Sequence, residues 1–180
     1  MKLKSILMAT AIMMLTTCGL IAQNSKTLVM YFSWGGTTEK MAKMISSSNG
    51  GELFRIEPTK AYPTGYTPCT EVVKEELDNG IFRQVKKTPD LSKYDTIFVG
   101  VPVWWHTAPT LMNHFLEENK EALKGKTIIP FCTYQATYRA ETLQAIVDAT
   151  PTASHKEGYG TTNPNQNNVD AWLKKIGLGK

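Results

Sequence analysis

The chain has 180 residues, of which 42% are apolar, and this is enough to bury a full core in one domain. Its charged content of 20% is ordinary for a globular protein, and its formal net charge is only +4. This composition excludes a disordered chain, and the lack of a basic stretch interleaved with aromatic residues argues against nucleic-acid binding.

The first twenty-odd residues have the pattern of an export signal. Lys2 and Lys4 provide a basic start, and the apolar run that follows is too short to span a bilayer as a stable helix. We therefore expect a cleaved signal peptide over residues 1–22 and an exported protein, either periplasmic or anchored at the cell envelope. The segment ending at Cys18 resembles a bacterial lipobox, so membrane attachment is expected only through a lipid on this cysteine. Simple cleavage near Ala22 is the alternative.

From Thr27 onward, strand-like and helix-like segments alternate, which is typical of a parallel sheet covered by helices on both faces. Five strands are predicted, at residues 27–32, 52–57, 96–101, 126–132 and 154–160. Five helices are predicted: one opening at Thr38, one capped by Thr67 before Pro68, one with Pro109 in its first turn, one around residues 143–147 and one around residues 169–176.

Two strands carry a further signal. The second strand alternates apolar Phe54 and Ile56 with charged residues, so we expect it to be half exposed and to lie at an edge of the sheet. Pro130 stands inside the fourth strand and has no N–H group to donate to a neighbour. We therefore expect a bulge or an irregular pairing at this proline.

The turn between the first strand and the first helix has the composition of an anion-binding site. Two adjacent glycines let several backbone N–H groups point into one concavity, and hydroxyl side chains add further donors. The helix behind the turn contributes the positive end of its dipole. A tight turn with a threonine cap is the alternative interpretation. The residues concerned are Ser33, Trp34, Gly35, Gly36, Thr37 and Thr38.

Four loops that follow successive strands together resemble those of a known family. They contain residues 33–38, Ala61-Tyr62-Pro63, Gly100-Val101-Pro102-Val103-Trp104-Trp105 and Phe131-Cys132-Thr133. Over residues 27–178 this set resembles the flavodoxin-like family, in particular its bacterial members with a Pro-x-Trp-Trp loop. The resemblance implies a three-layer α/β/α fold with a five-stranded parallel sheet in the order 2-1-3-4-5. It also implies FMN at the carboxyl edge of the sheet, a placement for which flavodoxin is a standard example.

Within this resemblance, the FMN phosphate is expected in the turn over residues 33–38, and the isoalloxazine is expected between two later loops. The residues of these loops are Pro102, Val103, Trp104, Trp105, His106 and Thr107 in the first, and Thr133, Tyr134, Gln135 and Tyr138 in the second. Their aromatic rings offer flat faces to a flat heterocycle, although one of the two adjacent tryptophans is expected to fill the core. His106 stands where relatives commonly have glycine, and residues 134–138 replace a glycine-rich loop.

The sequence thus predicts an FMN-binding electron-transfer protein with an unknown redox partner. One alternative is an FMN-dependent oxidoreductase that reduces a small planar acceptor such as a quinone or a nitroaromatic compound. A second alternative is a non-redox module that binds another planar ligand. No catalytic or metal-binding residue is assigned, because the three histidines lack metal-site spacing and the acidic residues are expected to be solvated. His114 is predicted on the exposed side of its helix, and no bridge is expected between Cys69 and Cys132.

Overall fold

The computed structural model describes residues 26–179, so the predicted signal segment and Cys18 lie outside the described residues. The strands are β1 Thr27–Tyr31, β2 Glu52–Arg55, β3 Thr96–Pro102, β4 Thr127–Thr133, β5 Ser154–His155 and β6 Tyr159–Thr161. The helices are α1 Thr37–Asn49, α2 Tyr66–Asn79, α3 Thr110–Glu118, α4 Lys120–Leu123, α5 Arg139–Asp148 and α6 Gln166–Lys175, and a 3-10 turn spans Leu91–Lys93.

The strands form one parallel sheet in the order β2-β1-β3-β4-β5, which confirms the predicted order. Successive residues of a strand point to opposite faces, and each face of this sheet packs against its own helices. Leu28 and Met30 of β1 belong to the core shared with α2, α3 and α5, whereas Val29 and Tyr31 belong to the core shared with α1 and α6. The protein therefore has the three layers expected of a doubly wound α/β fold. The edge position predicted for the second strand is also confirmed, because β2 pairs only with β1.

The predicted fifth strand is instead two short strands, which is a correction to the five-strand prediction. β5 pairs with Thr127 and Ile128 of β4, and β6 pairs with the residues from Phe131 onward. The ladder on this side skips Pro130, which keeps a regular register with β3 on its other side. The irregular pairing predicted at this proline is therefore confirmed, and it lies on the side where an N–H donor is missing. Gly158 fits against the gap, since a Cβ there would lie 2.7 Å from the Pro130 carbonyl oxygen.

Three helix starts differ from prediction by one to three residues. α2 begins at Tyr66 after Gly65, so the cap predicted at Thr67 is wrong. α1 begins one residue early, and Pro109 is the residue before α3 and not part of its first turn. Proline is tolerated throughout the first turn, whose N–H groups lack intrahelical partners, so Pro68 locates the start of α2 only approximately. The short α4 was not predicted.

His114 was predicted on the exposed side of its helix, but its side chain is only 21% exposed. Its ring stacks on Phe82 with centroids 4.3 Å apart, and its Nε2 lies 3.1 Å from a carboxylate oxygen of Glu118. Cys69 in α2 and Cys132 in β4 are both buried and unbridged. Within residues 26–179, no helix combines the length and the apolarity needed to cross a membrane.

Candidate functional site

A cleft of about 630 Å³ opens at the carboxyl ends of β1, β3 and β4. The fold brings the turn over residues 33–38 together there with the loops after β3 and β4, because the carboxyl ends of parallel strands meet at one edge of the sheet. All the predicted site residues line the cleft except Gly36 and Thr107, which lie within the same two loops. Across residues 26–179, no group of three metal-ligating side chains is brought together.

The turn after β1 exposes unpaired donors to this cleft. Gly36 is the residue before α1 and has a φ of +87°, which is a left-handed conformation that favours glycine. Its N–H donates to Ser33 Oγ at 3.1 Å. The first N–H groups of an α-helix have no intrahelical partner. In α1 they also have no side-chain cap within the described part of the chain, so they remain available to a ligand. Because Thr37 and Thr38 line the cleft, an anion placed there would meet these donors and the positive end of the helix dipole.

A buried hydroxyl pair ties this turn to the end of β4. Thr38 Oγ1 lies 2.8 Å from Thr133 Oγ1, and both residues are buried. Each hydroxyl has a single hydrogen, so one donates to the other and the second O–H can donate elsewhere. On the other side of the turn, Arg55 donates to the Ser33 carbonyl oxygen at 2.9 Å and to Glu39 at 3.1 Å. The turn is therefore held from β4 on one side and from β2 on the other.

The loop after β3 is a two-residue turn without glycine. Trp104 and Thr107 exchange both backbone hydrogen bonds, at 3.0 and 3.1 Å, and the residues between them, Trp105 and His106, have φ values of 44° and 70°. Such a turn favours glycine at both positions, and a non-glycine residue in this conformation costs on the order of 1–3 kcal/mol. The His106 ring stacks on Tyr138 with centroids 3.7 Å apart. This stack joins the loops after β3 and β4 at one rim of the cleft.

The adjacent tryptophans have different roles in packing. Trp104 packs edge-on against Phe32 and Tyr62, with ring centroids 5.2 and 4.8 Å apart, and it contacts the buried core. Trp105 is 44% exposed, and its indole N–H donates to the Thr70 carbonyl oxygen of α2 at 3.0 Å. Trp104 thus packs against the core but is itself only partly buried and also lines the cleft, so the expectation that one of the pair fills the core is met only in part, and Trp105 lies at the open rim.

Several lining residues were missed by the sequence reasoning. They are Tyr66, Cys69, Thr70 and Val73 of α2, Ala136 and Thr137 in the loop after β4, and Thr162 after β6. The helix residues were missed because only strand ends were considered, and Thr162 was missed because β6 was not recognised as a separate strand. The spacing of Tyr66, Thr70 and Val73 by four and three residues is the signal that could have placed them on one face of α2.

A buried carboxylate lies behind the cleft, although the acidic residues were predicted to be solvated. Glu76 is 4% exposed and accepts hydrogen bonds from the Tyr62 hydroxyl at 2.9 Å and from Arg83 Nε. The Arg83 guanidinium also covers the Tyr62 ring, 3.9 Å from its centroid. Burial and the neighbouring negative charge of Glu76 raise the pKa of Tyr62 above its ordinary value. Glu76 follows Val72 and Val73 by four and three residues, which is the spacing that could have indicated its burial.

A smaller cleft of about 320 Å³ lies on the other side of Trp34. The two clefts share Ser33, Trp34 and Gly35, so the indole forms part of the wall between them. The Trp34 N–H donates to the Pro63 carbonyl oxygen at 2.8 Å, and its ring lies 6.5 Å from that of Trp104. The position of this wall therefore depends on the loop after β2.

The sheet order defines a doubly wound α/β protein, and the cleft lies at the carboxyl edge of the sheet, beside the switch point between β1 and β3. A family model described as flavodoxin matches residues 26–176. The chain belongs to the flavodoxin family.

Solved structures agree with this assignment. A Bacteroides eggerthii protein assigned as a flavoprotein is 30% identical, with a TM-score of 0.77 over 86% of this chain and 99% of that chain. A similarly assigned protein from Bacteroides uniformis is 29% identical, with a TM-score of 0.71 over 83% and 98% of the two chains. A Lactobacillus acidophilus flavoprotein, solved in complex with FMN, is 21% identical, with a TM-score of 0.70 over 85% and 99%, and shares the fold. A comparison with curated proteins gave no match.

Proposed function

We propose that this flavodoxin binds FMN and transfers electrons through it to or from a partner not yet known. The observation that carries the proposal is the convergence of an uncapped helix N-terminus and two aromatic loops on a single cleft. Its volume of about 630 Å³ lies in the range of about 300–1,000 Å³ that is usual for small-molecule sites. The FMN bound by the related Lactobacillus acidophilus flavoprotein supports the choice of cofactor.

The residues of the cleft fit the two chemically different ends of FMN. The turn over residues 33–38 offers N–H and hydroxyl donors to a phosphate without a lysine, and a charged acceptor strengthens each such hydrogen bond. Trp104, Trp105 and Tyr134 would border the ring system. When bound, FMN supplies the electron-accepting chemistry, and the chain orients the ring and limits the access of water to it.

Purification of the protein tests this proposal directly. We expect FMN to co-purify, or to bind in equimolar amount when it is added to the apoprotein, with a change in the visible absorption of the flavin. The measurements are an absorption spectrum, identification of the released flavin, and a fluorescence titration. A protein that carries no flavin and does not bind added FMN would refute the proposal, and another planar compound found in its place would favour a non-redox binding module.

An FMN-dependent oxidoreductase is the second candidate, favoured by the open rim of the cleft. Tyr66 and Trp105 are 76% and 44% exposed there, which leaves aromatic faces accessible to a small planar acceptor such as a quinone or a nitroaromatic compound. A carrier of single electrons should be reduced in two resolved steps during a reductive titration. Reduction in one step together with fast turnover of quinones would favour the oxidoreductase.

We also propose that the protein acts outside the cytoplasm, in the periplasm or at the cell envelope. The support is the basic start and the apolar run within residues 1–22. A lipid on Cys18 would anchor the protein to the membrane, whereas simple cleavage near Ala22 would release it into the periplasm. An exported flavoprotein must obtain electrons from a donor in that compartment, so identifying the donor is the next experimental question.

A further inference from the structure

We infer that the cluster of Tyr62, Glu76 and Arg83 is a positioning device that holds Trp34 and Trp104, two tryptophans that line the larger cleft. None of the three cluster residues lines this cleft, so their effect on a ligand there must pass through the tryptophans. The part of this inference that concerns FMN rests on the proposed function. The part that concerns the tryptophans can be tested without the cofactor.

The first step is the anchoring of the loop after β2. Arg83 Nη1 donates to the carbonyl oxygens of Lys60 at 2.7 Å and Ala61 at 3.2 Å. Its Nε donates to Glu76 Oε1, and the Tyr62 hydroxyl donates to Oε2 of the same carboxylate at 2.9 Å. The loop is therefore attached to α2 through both carboxylate oxygens of Glu76.

The second step leads from this loop to the cleft. The Pro63 carbonyl oxygen, directly after Tyr62, accepts the indole N–H of Trp34 at 2.8 Å. The Tyr62 ring meets the Trp104 ring edge-on, with centroids 4.8 Å apart and an interplanar angle of 85°. A shift of the loop would therefore move the hydrogen-bond acceptor of one tryptophan and the packing partner of the other.

The third step concerns why the cluster is ionic. A buried ion pair contributes little net stability compared with apolar side chains of the same volume, but its directional hydrogen bonds define one geometry. Glu76 and Arg83 have side chains only 5% and 10% exposed, so neither can exchange its partner for bulk water without a rearrangement. Position 76 of a helix that packs on the core would otherwise suit an aliphatic residue. Specific placement of the loop accounts for the carboxylate.

The substitution Glu76→Gln tests the inference, with Glu75→Gln as the matched control on the exposed side of the same helix. Glutamine keeps the shape of the side chain, but its amide nitrogen cannot accept the hydrogen bonds that are made to one of the two carboxylate oxygens, Oε1 from Arg83 or Oε2 from Tyr62 and Thr110. We expect Glu76→Gln to change the near-ultraviolet circular dichroism of the tryptophans, to shift the absorption band of bound FMN and to weaken FMN binding at least tenfold. The far-ultraviolet spectrum should be unchanged, and Glu75→Gln should match wild type in every measurement.

Tyr62→Phe is the second variant, and it decides the question should Glu76→Gln fail to fold. It removes one hydrogen bond and keeps the ring against Trp104, so we expect a smaller change of the same kind in the tryptophan and flavin spectra. Folded variants whose tryptophan spectrum, flavin spectrum and FMN affinity equal those of wild type, with only the melting temperature lowered, would overturn the inference. A wild-type protein that does not bind FMN would refute the proposed function, and the tryptophan spectrum would still test the cluster.

Discussion

Gly36 allows a test of the turn over residues 33–38, which we propose binds the FMN phosphate. Comparison with a glycine outside this turn separates the effect of backbone strain from the loss of hydrogen-bond donors. We expect Gly36→Val to distort the turn, because its φ of +87° disfavours any side chain, and to weaken FMN binding at least tenfold. Each hydrogen bond lost from a charged group costs about 1.5–3 kcal/mol. Riboflavin has no phosphate, so its affinity should change less than threefold. Titration of both flavins by fluorescence quenching provides the measurement.

The control for this prediction is Gly50→Val. Gly50 follows α1 and has a φ of +76°, and a Cβ at this residue would meet no atom within 4 Å, as is also true of Gly36. The two variants therefore carry similar strain at opposite ends of one helix. Equal weakening of FMN and riboflavin by Gly36→Val, or an equal loss of FMN affinity in Gly50→Val, would count against a phosphate site in the turn.

His106 is the residue at which a proton could be coupled to reduction. A protonated imidazole carries a positive charge, and a cationic ring beside the flavin would stabilise the negative charge that reduction adds. We expect the midpoint potential to rise more steeply with falling pH in wild type than in His106→Gly. Glycine also suits the φ of 70° at this position. Superimposable plots of potential against pH for the two proteins would remove His106 from any redox role.

For individual residues, the sequence predicted which loops form the site but not which side chains contact one another. Glu76 was expected to be solvated, although it shares the apolar face of α2, because a charged residue on such a face becomes buried only where partners meet it. Those partners, Tyr62 and Arg83, come from segments on either side of the helix in the sequence. The covering of His114 by Phe82 has the same origin. The spacing of Glu76 from Val72 and Val73 could have indicated that it is buried, but that spacing does not identify the residues that pair with it.

β3 depends on a glycine for its fit against β4. A Cβ on Gly100 would lie 2.0 Å from an atom of the Phe131 ring, its neighbour in the paired register. We expect Gly100→Ala to destabilise the protein by about 2 kcal/mol, since overpacking of a core typically costs about 1–3 kcal/mol. The melting temperature should fall by about 4–8 °C. Thermal and urea unfolding of the apoprotein provide the measurement.

Gly35→Ala is the control for this stability measurement, because a Cβ on Gly35 meets no atom within 4 Å. It should unfold within about 0.5 kcal/mol of wild type. A Gly100→Ala variant as stable as this control would show that the Phe131 ring moves aside without cost. The close packing of β3 on β4 would then not require glycine.

Buried strands and their order were the most predictable elements. Continuous apolar runs such as residues 96–101 identify central strands, and the motifs at their ends identify the edge where the loops meet. The far side of β4 was less predictable because β5 and β6 contain two and three residues and have little hydrophobic pattern. Pro130 did indicate an irregularity there, but its consequence for the neighbouring strand depends on packing against Gly158.

The export prediction concerns the whole molecule. In a bacterial host that processes lipoproteins, a labelled fatty acid should be incorporated into the full chain, and Cys18→Ala should abolish the label. The variant should also leave the membrane fraction, because the lipid is its only expected attachment. Fluorography and fractionation provide the measurements. A chain cleaved after Ala22 without lipid would contradict the anchor while leaving export intact.

The two margins of the sheet affect whether molecules of this protein aggregate at high concentration. One margin is β2, only four residues long and bearing the charged residues Glu52 and Arg55, and the other is divided between β5 and β6 at the position of Pro130. An exposed strand can act as a template for a strand of another molecule when it offers a long, unbroken row of N–H and C=O groups. Neither margin offers such a row. The division of the outer strand, which arises from one proline, therefore also protects the protein against edge-to-edge aggregation.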